Sequence, residues 1–178
     1  PEQEAYELLL EQDGQAMLLT TLGNFENGSL ETVAQLLQRD DVAVGLGDGG
    51  AHYGMLCDAS YPTTLLTHWV RDRQGTRLAL SQVIKALTSE TAQLVGLLDR
   101  GLLAPGYKAD INLIDHAAMR LYKPEVLHDL PAGGRRLDQR ADGYVATIVA
   151  GEVVVENGRH TAARPGRLVR GRQPAPAA

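Results

Sequence analysis

The segment from Gln15 to Leu46 constrains the fold more than any other. QAMLLTTL, Gln15 to Leu22, is compact, apolar and threonine-bearing, as a buried strand is. Gly23 to Gly28 is a turn-rich loop. Ser29 can cap a following helix, in which Leu30, Val33, Ala34 and Leu37 recur at helical spacing. Asp40-Asp41 ends that helix, and VAVGL, Val42 to Leu46, reads as a second short buried strand. Strand, helix and strand on short links make a βαβ unit, so the two strands should run parallel. Such sheets gather functional groups at the carboxyl ends of their strands. Asp48 stands at such an end.

The flanking residues extend this pattern. EAYELLLEQ, Glu4 to Gln12, reads as a short helix stopped by Asp13-Gly14. Pro62 suits a first helical turn, and Leu65, Leu66, Trp69 and Val70 form an apolar stripe behind it. Ser81 opens another helix, with Val83, Ile84 and Leu87 on one side and Gly96 as its stop. After Leu98 the texture changes. Gly101, Pro105 and Gly106 punctuate a boundary, and ADINLID, Ala109 to Asp115, alternates as a half-buried strand does. YVATIV and EVVVE flank Ala150-Gly151 as a hairpin, and Asn157-Gly158 is a second turn signal. Helices and parallel strands therefore come first and an antiparallel β segment second. The tail GRQPAPAA is expected to be disordered.

Charge and composition exclude several functions. A net charge of −5 gives no electrostatic ground for a nucleic-acid partner or an anionic membrane surface. The basic run Arg164, Arg167, Arg170 and Arg172 reads as a solvated terminal strand. No apolar run reaches the length of a membrane span. Cys57 is the single cysteine, which rules out a disulfide framework and fits a reducing, cytoplasmic compartment. It is expected to be a packed small residue.

Two chemistries compete for VAVGLGDGGAH, Val42 to His52. By letter, Gly45, Gly47 and Gly50 spell G-x-G-x-x-G after an apolar run, the pattern of a nucleotide- or phosphate-binding α/β module using the GLGDGG loop. That pattern needs a helix to begin at its third glycine, so that amide groups point at the phosphates. Here Gly54 interrupts AHYGMLCDASYP, and Pro62 looks like a fresh helix start. In the second reading the glycines let backbone and ligand approach closely, and the carboxylate of Asp48 carries the chemistry. An aspartate can ligate zinc or act as general base toward a metal-bound water.

The wider context favours the carboxylate. GDGGAHYGMLCDASYPTTLLTHWVRDR, then LLAPGYKADINLID, then the stretch from DLPAGGRRLDQRADGYVATIVAGEVVVENGRH onward, closely resembles the C-terminal part of N-acyl-D-amino-acid deacylases. These are the D-aminoacylase branch of the metal-dependent amidohydrolase superfamily. The resemblance runs from about Val42 to Gly171. It implies an α/β fold: the last βα units of a (β/α)8 TIM barrel over residues 1–99, part of a small β-sandwich over 100–170, and a tail at 171–178. It implies one or two divalent ions, zinc in particular, with Asp48 as metal ligand and proton acceptor. His52, Gly49 and Gly50 would contact substrate, a small N-acyl amino acid.

Three departures from that family are visible. Gly47 stands where the family commonly has serine. From Tyr53 to Val70 there is no arginine to grip a substrate carboxylate. No two of His52, His68, His116, His128 and His160 are separated by a single residue, so the family's His-x-His pair is absent. Eight βα units also take about 200 residues or more. The expectation is the last quarter to third of an enzyme, inactive alone, with its other metal ligands elsewhere. Asp110 and Asp115 bracket a strand and are expected to cap or solvate its ends.

Overall fold

The computed structural model describes residues 1–20, 23–45, 47 and 52–177. They form a mixed α/β structure in two compact units, Pro1–Val42 and Ala43–Ala178.

In the first unit, α1 (Glu2–Gly14) loses helical geometry at its end. Glu11 is extended, and Gln12 and Asp13 are left-handed with φ of 54° and 58°. Helical geometry thus ends two residues before the stop expected at Asp13-Gly14. None of its residues is buried. α2 (Glu31–Leu36) starts where Ser29 Oγ accepts the Glu31 amide at 3.1 Å, and it buries Ala34. The strand expected at 15–22 is not formed over its described part. Residues 15–20 pair with no other strand, and Leu19 is 90% exposed. The strand expected at 42–46 is likewise unpaired over 42–45. The reason is physical. A parallel strand needs a neighbour to take up its backbone hydrogen bonds, and apolar character alone does not supply one. No barrel exists among the described residues.

The second unit carries the core. Its first helical run, 61–72, begins as α3 (Tyr61–Thr64) with Pro62 in the first turn. It then widens to a π-helical segment, Leu65–Asp72. The Arg73 amide accordingly donates to His68 C=O, five residues back, at 2.9 Å. The expected stripe is the buried face: Leu65, Leu66 and Trp69 pack inward with Leu78, Val83, Ala92 and Met119. Arg73, also buried, lays its guanidinium 4.7 Å from the Trp69 ring centroid. The second run comprises α4 (Leu80–Lys85), a π-helical Ala86–Glu90 and α5 (Thr91–Leu94). Gly96, at φ 76°, ends it.

The β segment is antiparallel throughout. A four-stranded sheet has the order β1-β6-β7-β8, from β1 (Ile111–Ile114), β6 (Tyr144–Val149), β7 (Glu152–Glu156) and β8 (Arg159–His160). Its hairpin turns lie at the expected pairs. Ala150 and Gly151 have φ of 49° and 85°, and Asn157 and Gly158 have 48° and 75°. Asp110 caps one end of the β1–β6 pair by accepting the Ala150 amide at 2.8 Å. Asp115 closes the other end by accepting the amides of Ala117 and Ala118. Two small pairs were not foreseen: β2 (Arg120–Leu121) with β5 (Ala141–Asp142), and β3 (Glu125–Leu130) with β4 (Gly134–Asp138). His128 lies in β3.

Polar contacts tie the helices to the β segment. Arg71 donates to the carbonyls of His116 at 2.7 Å and Met119 at 2.9 Å. His116 Nε2 meets Leu66 C=O at 2.8 Å, and the Thr63 and Tyr144 hydroxyls meet at 2.8 Å. In the tail, Gln173 forms a bridge with Leu97 and exchanges backbone hydrogen bonds with Gly96 and Leu98.

Candidate functional site

The sequence points to the loop between Val42 and the helix at Tyr61. Asp48, Gly49 and Gly50 lie outside the described residues. His52 is exposed, with φ 48°, and its carbonyl accepts the amides of Met55 at 2.7 Å and Leu56 at 3.0 Å. That is a turn. Over 52–60 there is no helix, and the next one starts at Tyr61. The helix N-terminus that a phosphate loop needs is therefore missing where the described residues resume.

After His52 the chain is pinned to β4 and the residue beyond it. The Leu137 amide donates to Tyr53 C=O at 2.8 Å. Gln139 Oε1 accepts the Ser60 hydroxyl at 2.6 Å and the Cys57 thiol at 3.7 Å, while its Nε2 donates to Tyr122 C=O at 2.8 Å. A cavity of about 350 Å³ opens between these segments, lined among others by Tyr53, Cys57, Asp58, Ser60, Arg136 and Gln139. Arg136 is neutralised locally: it donates to Asp129 at 2.7 Å and to Asp138 at 2.7 Å. That pairing holds Asp129 below the usual carboxylate range. Burial pushes the Cys57 thiol up, and the nearby charges of Asp138 and Asp58 push it further. Cys57 is a half-buried, protonated hydrogen-bond donor, consistent with the packed role expected of it.

Asp58 also reaches back along the loop. Its carboxyl group occupies the space where a side chain at position 47 would begin. A Cβ there would lie well inside the distance any real Cβ keeps from Cγ, Oδ1 and Oδ2 of Asp58. A side chain at position 47 would therefore require the Asp58 carboxyl group to shift. Sequence reasoning noted Gly47 but missed Asp58 and Gln139. Gln139 meets Cys57 and Ser60 across 82 and 79 residues, and no local pattern encodes such a meeting.

A family model described as "Amidohydrolase family" matches residues 5–155, most of the chain. The chain belongs to the amidohydrolase family. Among curated relatives, a dihydroorotase of Lactobacillus johnsonii is 30% identical over 113 residues, covering 63% of this chain and 26% of the relative. A 5-methylthioadenosine/S-adenosylhomocysteine deaminase of Pelotomaculum thermopropionicum is 36% identical over 126 residues, covering 70% and 28%. A dihydroorotase of Elusimicrobium minutum is 32% identical over 92 residues, covering 46% and 21%. The chain spans about a quarter of the length of these relatives. No solved structure matches it. These findings place the chain in the metal-dependent amidohydrolase superfamily and do not single out the D-aminoacylase branch.

Amidohydrolases of this superfamily typically depend on a divalent metal. Among the described residues, no group of three or more histidine, cysteine, aspartate or glutamate side chains is arranged to hold one. Those residues alone do not make a metal centre. Also among them, no helix is long and apolar enough to cross a membrane.

Proposed function

We propose that the chain is the C-terminal part of a metal-dependent amidohydrolase that cleaves the amide bond of an N-acyl amino acid, of the D series, to a carboxylate and a free amine. Residues 1–99 supply the last βα units of its barrel, and 100–170 part of its β-sandwich. Asp48 is the residue that holds the metal from this chain, together with donors outside it. A bound divalent ion, zinc in this reading, supplies polarisation of the amide carbonyl and acidifies water. Asp48 accepts the proton of the attacking water and returns it to the leaving amine nitrogen. The backbone at Gly49 and Gly50, with His52, contacts the substrate. The 350 Å³ cavity lined in part by Tyr53, Cys57 and Asp58 has room for a small molecule.

The observation that carries this reading is the family match, which runs from residue 5 to 155 and so passes through the Asp48 loop into the β hairpin. The test uses the full open reading frame, loaded with zinc and assayed against N-acetyl-D-amino acids, their L enantiomers, dihydroorotate and methylthioadenosine. Hydrolysis of the D series, abolished by Asp48→Asn with the fold intact, is the expected result. Turnover that survives Asp48→Asn overturns Asp48 as base. Turnover confined to dihydroorotate or methylthioadenosine overturns the substrate class and keeps the family chemistry.

A further inference from the structure

The segment beyond β8 returns to the junction between the helices and the β segment. Gln173 forms a parallel bridge with Leu97: its amide donates to Gly96 C=O at 2.9 Å, and its carbonyl accepts the Leu98 amide at 3.0 Å. These two bonds close a stretch of chain that contains every strand from β1 to β8. A second contact lies three residues on. The Pro176 ring sits over Gly106, whose φ is 86°, with its Cβ 2.8 Å from where a side chain at 106 would begin. That ring is rigidly joined to its own backbone, so a side chain at 106 would push the whole segment away.

Exposure follows the same spacing. Gln173 and Pro176 are half-buried, while Arg172, Pro174, Ala175 and Ala177 are exposed. A face that recurs at every third residue is what a polyproline II helix presents, with about three residues per turn and no internal hydrogen bonds. The prolines at 174 and 176 suit that form and restrict the free chain, so docking orders little more of it. A segment with the composition of a disordered tail is thereby laid against the protein.

We propose that Gly96–Leu98 and Gly106 form a docking groove for an extended, proline-bearing peptide, and that residues 172–176 of this chain occupy it as a detachable clasp. Backbone pairing at Gln173 supplies the hold, and the half-buried third positions supply the choice of sequence. Two backbone bonds and one ring contact on a mostly exposed segment open locally without unfolding the rest. Once the clasp leaves, Gly96 C=O and the Leu98 amide present an unpaired edge to an extended segment of the same chemistry. The groove uses none of the residues assigned to amide hydrolysis.

The test compares the full open reading frame with a variant lacking residues 172–177. Each is titrated with a fluorescein-labelled peptide of residues 170–177, RGRQPAPA. Anisotropy should show saturable binding to the deletion variant. Binding to the intact protein should be at least about tenfold weaker, because its groove is filled at high effective concentration. The peptide carrying Gln173→Pro lacks the amide that meets Gly96 and should not bind. In the intact chain, Gln173→Pro should speed exchange of the Leu98 amide at least about tenfold, whereas Gln173→Ala keeps the backbone amide and should leave that exchange slow. No binding by a folded deletion variant overturns the groove. Equal affinity in the two proteins overturns the clasp as its occupant. Leu98 exchange unchanged by Gln173→Pro overturns the backbone bridge, and that measurement stands even where the deletion variant fails to fold.

Discussion

The amide oxygen of Gln139 accepts the hydroxyl of Ser60 at 2.6 Å, across 79 residues of sequence. The same side chain receives the Cys57 thiol and donates to Tyr122 C=O at 2.8 Å. One amide therefore joins the loop before α3 to the β segment. Gln139→Leu keeps the bulk and removes every one of these bonds, stranding a half-buried hydroxyl and carbonyl. The expected cost is about 1–3 kcal/mol. A urea titration checks it: the midpoint should fall with an unchanged slope. An unchanged midpoint would show that water replaces Gln139 without loss.

Arg71 gives a second expectation. Its guanidinium serves the carbonyls of His116 and Met119 and pairs with Asp72 at 2.6 Å. The Asp72 pair is largely solvent-screened and contributes little. The carbonyl bonds matter more, because they hold the turn before β2 on the helix. Arg71→Lys keeps the charge but loses the planar fork of donors. It should destabilise by about 1–2 kcal/mol, nearly as much as Arg71→Met. If Arg71→Lys matches the wild type in thermal unfolding, charge rather than the fork is what holds the turn.

His68 sets a pH dependence. Burial pushes its imidazole below the ordinary value, Arg73 lowers it further, and Asp72 opposes both. The unfolded chain takes up its proton near pH 6.5, and the folded chain resists until lower pH. The unfolded state thus binds more protons in that interval, so stability rises with pH. The contribution is fully present above about pH 6.5 and is lost as pH falls through the folded value. Urea midpoints measured from pH 7.5 down to pH 5 should decline, and His68→Gln should flatten that decline. Equal slopes in the two proteins would assign the effect to other groups.

These relationships separate what short-range pattern encodes from what it does not. A stop near Asp13-Gly14, the helix start at Pro62, the buried stripe Leu65, Leu66 and Trp69, and both hairpin turns were legible. Each depends on residues within a few positions of one another. Asp110 and Asp115 were legible as residues that cap or solvate strand ends, and the structure has them as caps. The parallel strands expected at 15–22 and 42–46 depend on neighbours that must come from far away, and apolar character alone does not supply them. The π-helical widening at Leu65–Asp72 has no signature in an apolar stripe that fits an α-helix equally well. The cavity wall pairs Cys57 and Ser60 with Gln139, and only the antiparallel return of the chain brings them together. The Asp48 loop was found through its glycines, while the nearness of the Asp58 carboxyl group to Gly47 has no local signature in the sequence.

The two hairpin turns offer a stabilising substitution. Asn157-Gly158 is the residue pair that such a tight turn favours. Ala150-Gly151 adopts nearly the same backbone, with φ of 49° at Ala150 against 48° at Asn157. A left-handed alanine carries a steric cost of about 1–2 kcal/mol, and asparagine tolerates the region better through local hydrogen bonding. The amide of residue 150 keeps its bond to Asp110 Oδ1 whichever side chain is present. Ala150→Asn should therefore stabilise the protein by about 0.5–1 kcal/mol, which raises Tm by about 1–4 °C for a chain of this size. Ala150→Gly should gain less, because the unfolded chain becomes more flexible. Differential scanning calorimetry of the three proteins reads the order directly. If both variants melt at or below the wild type, the turn is not strained at Ala150, and the bond to Asp110 fixes its geometry at no cost.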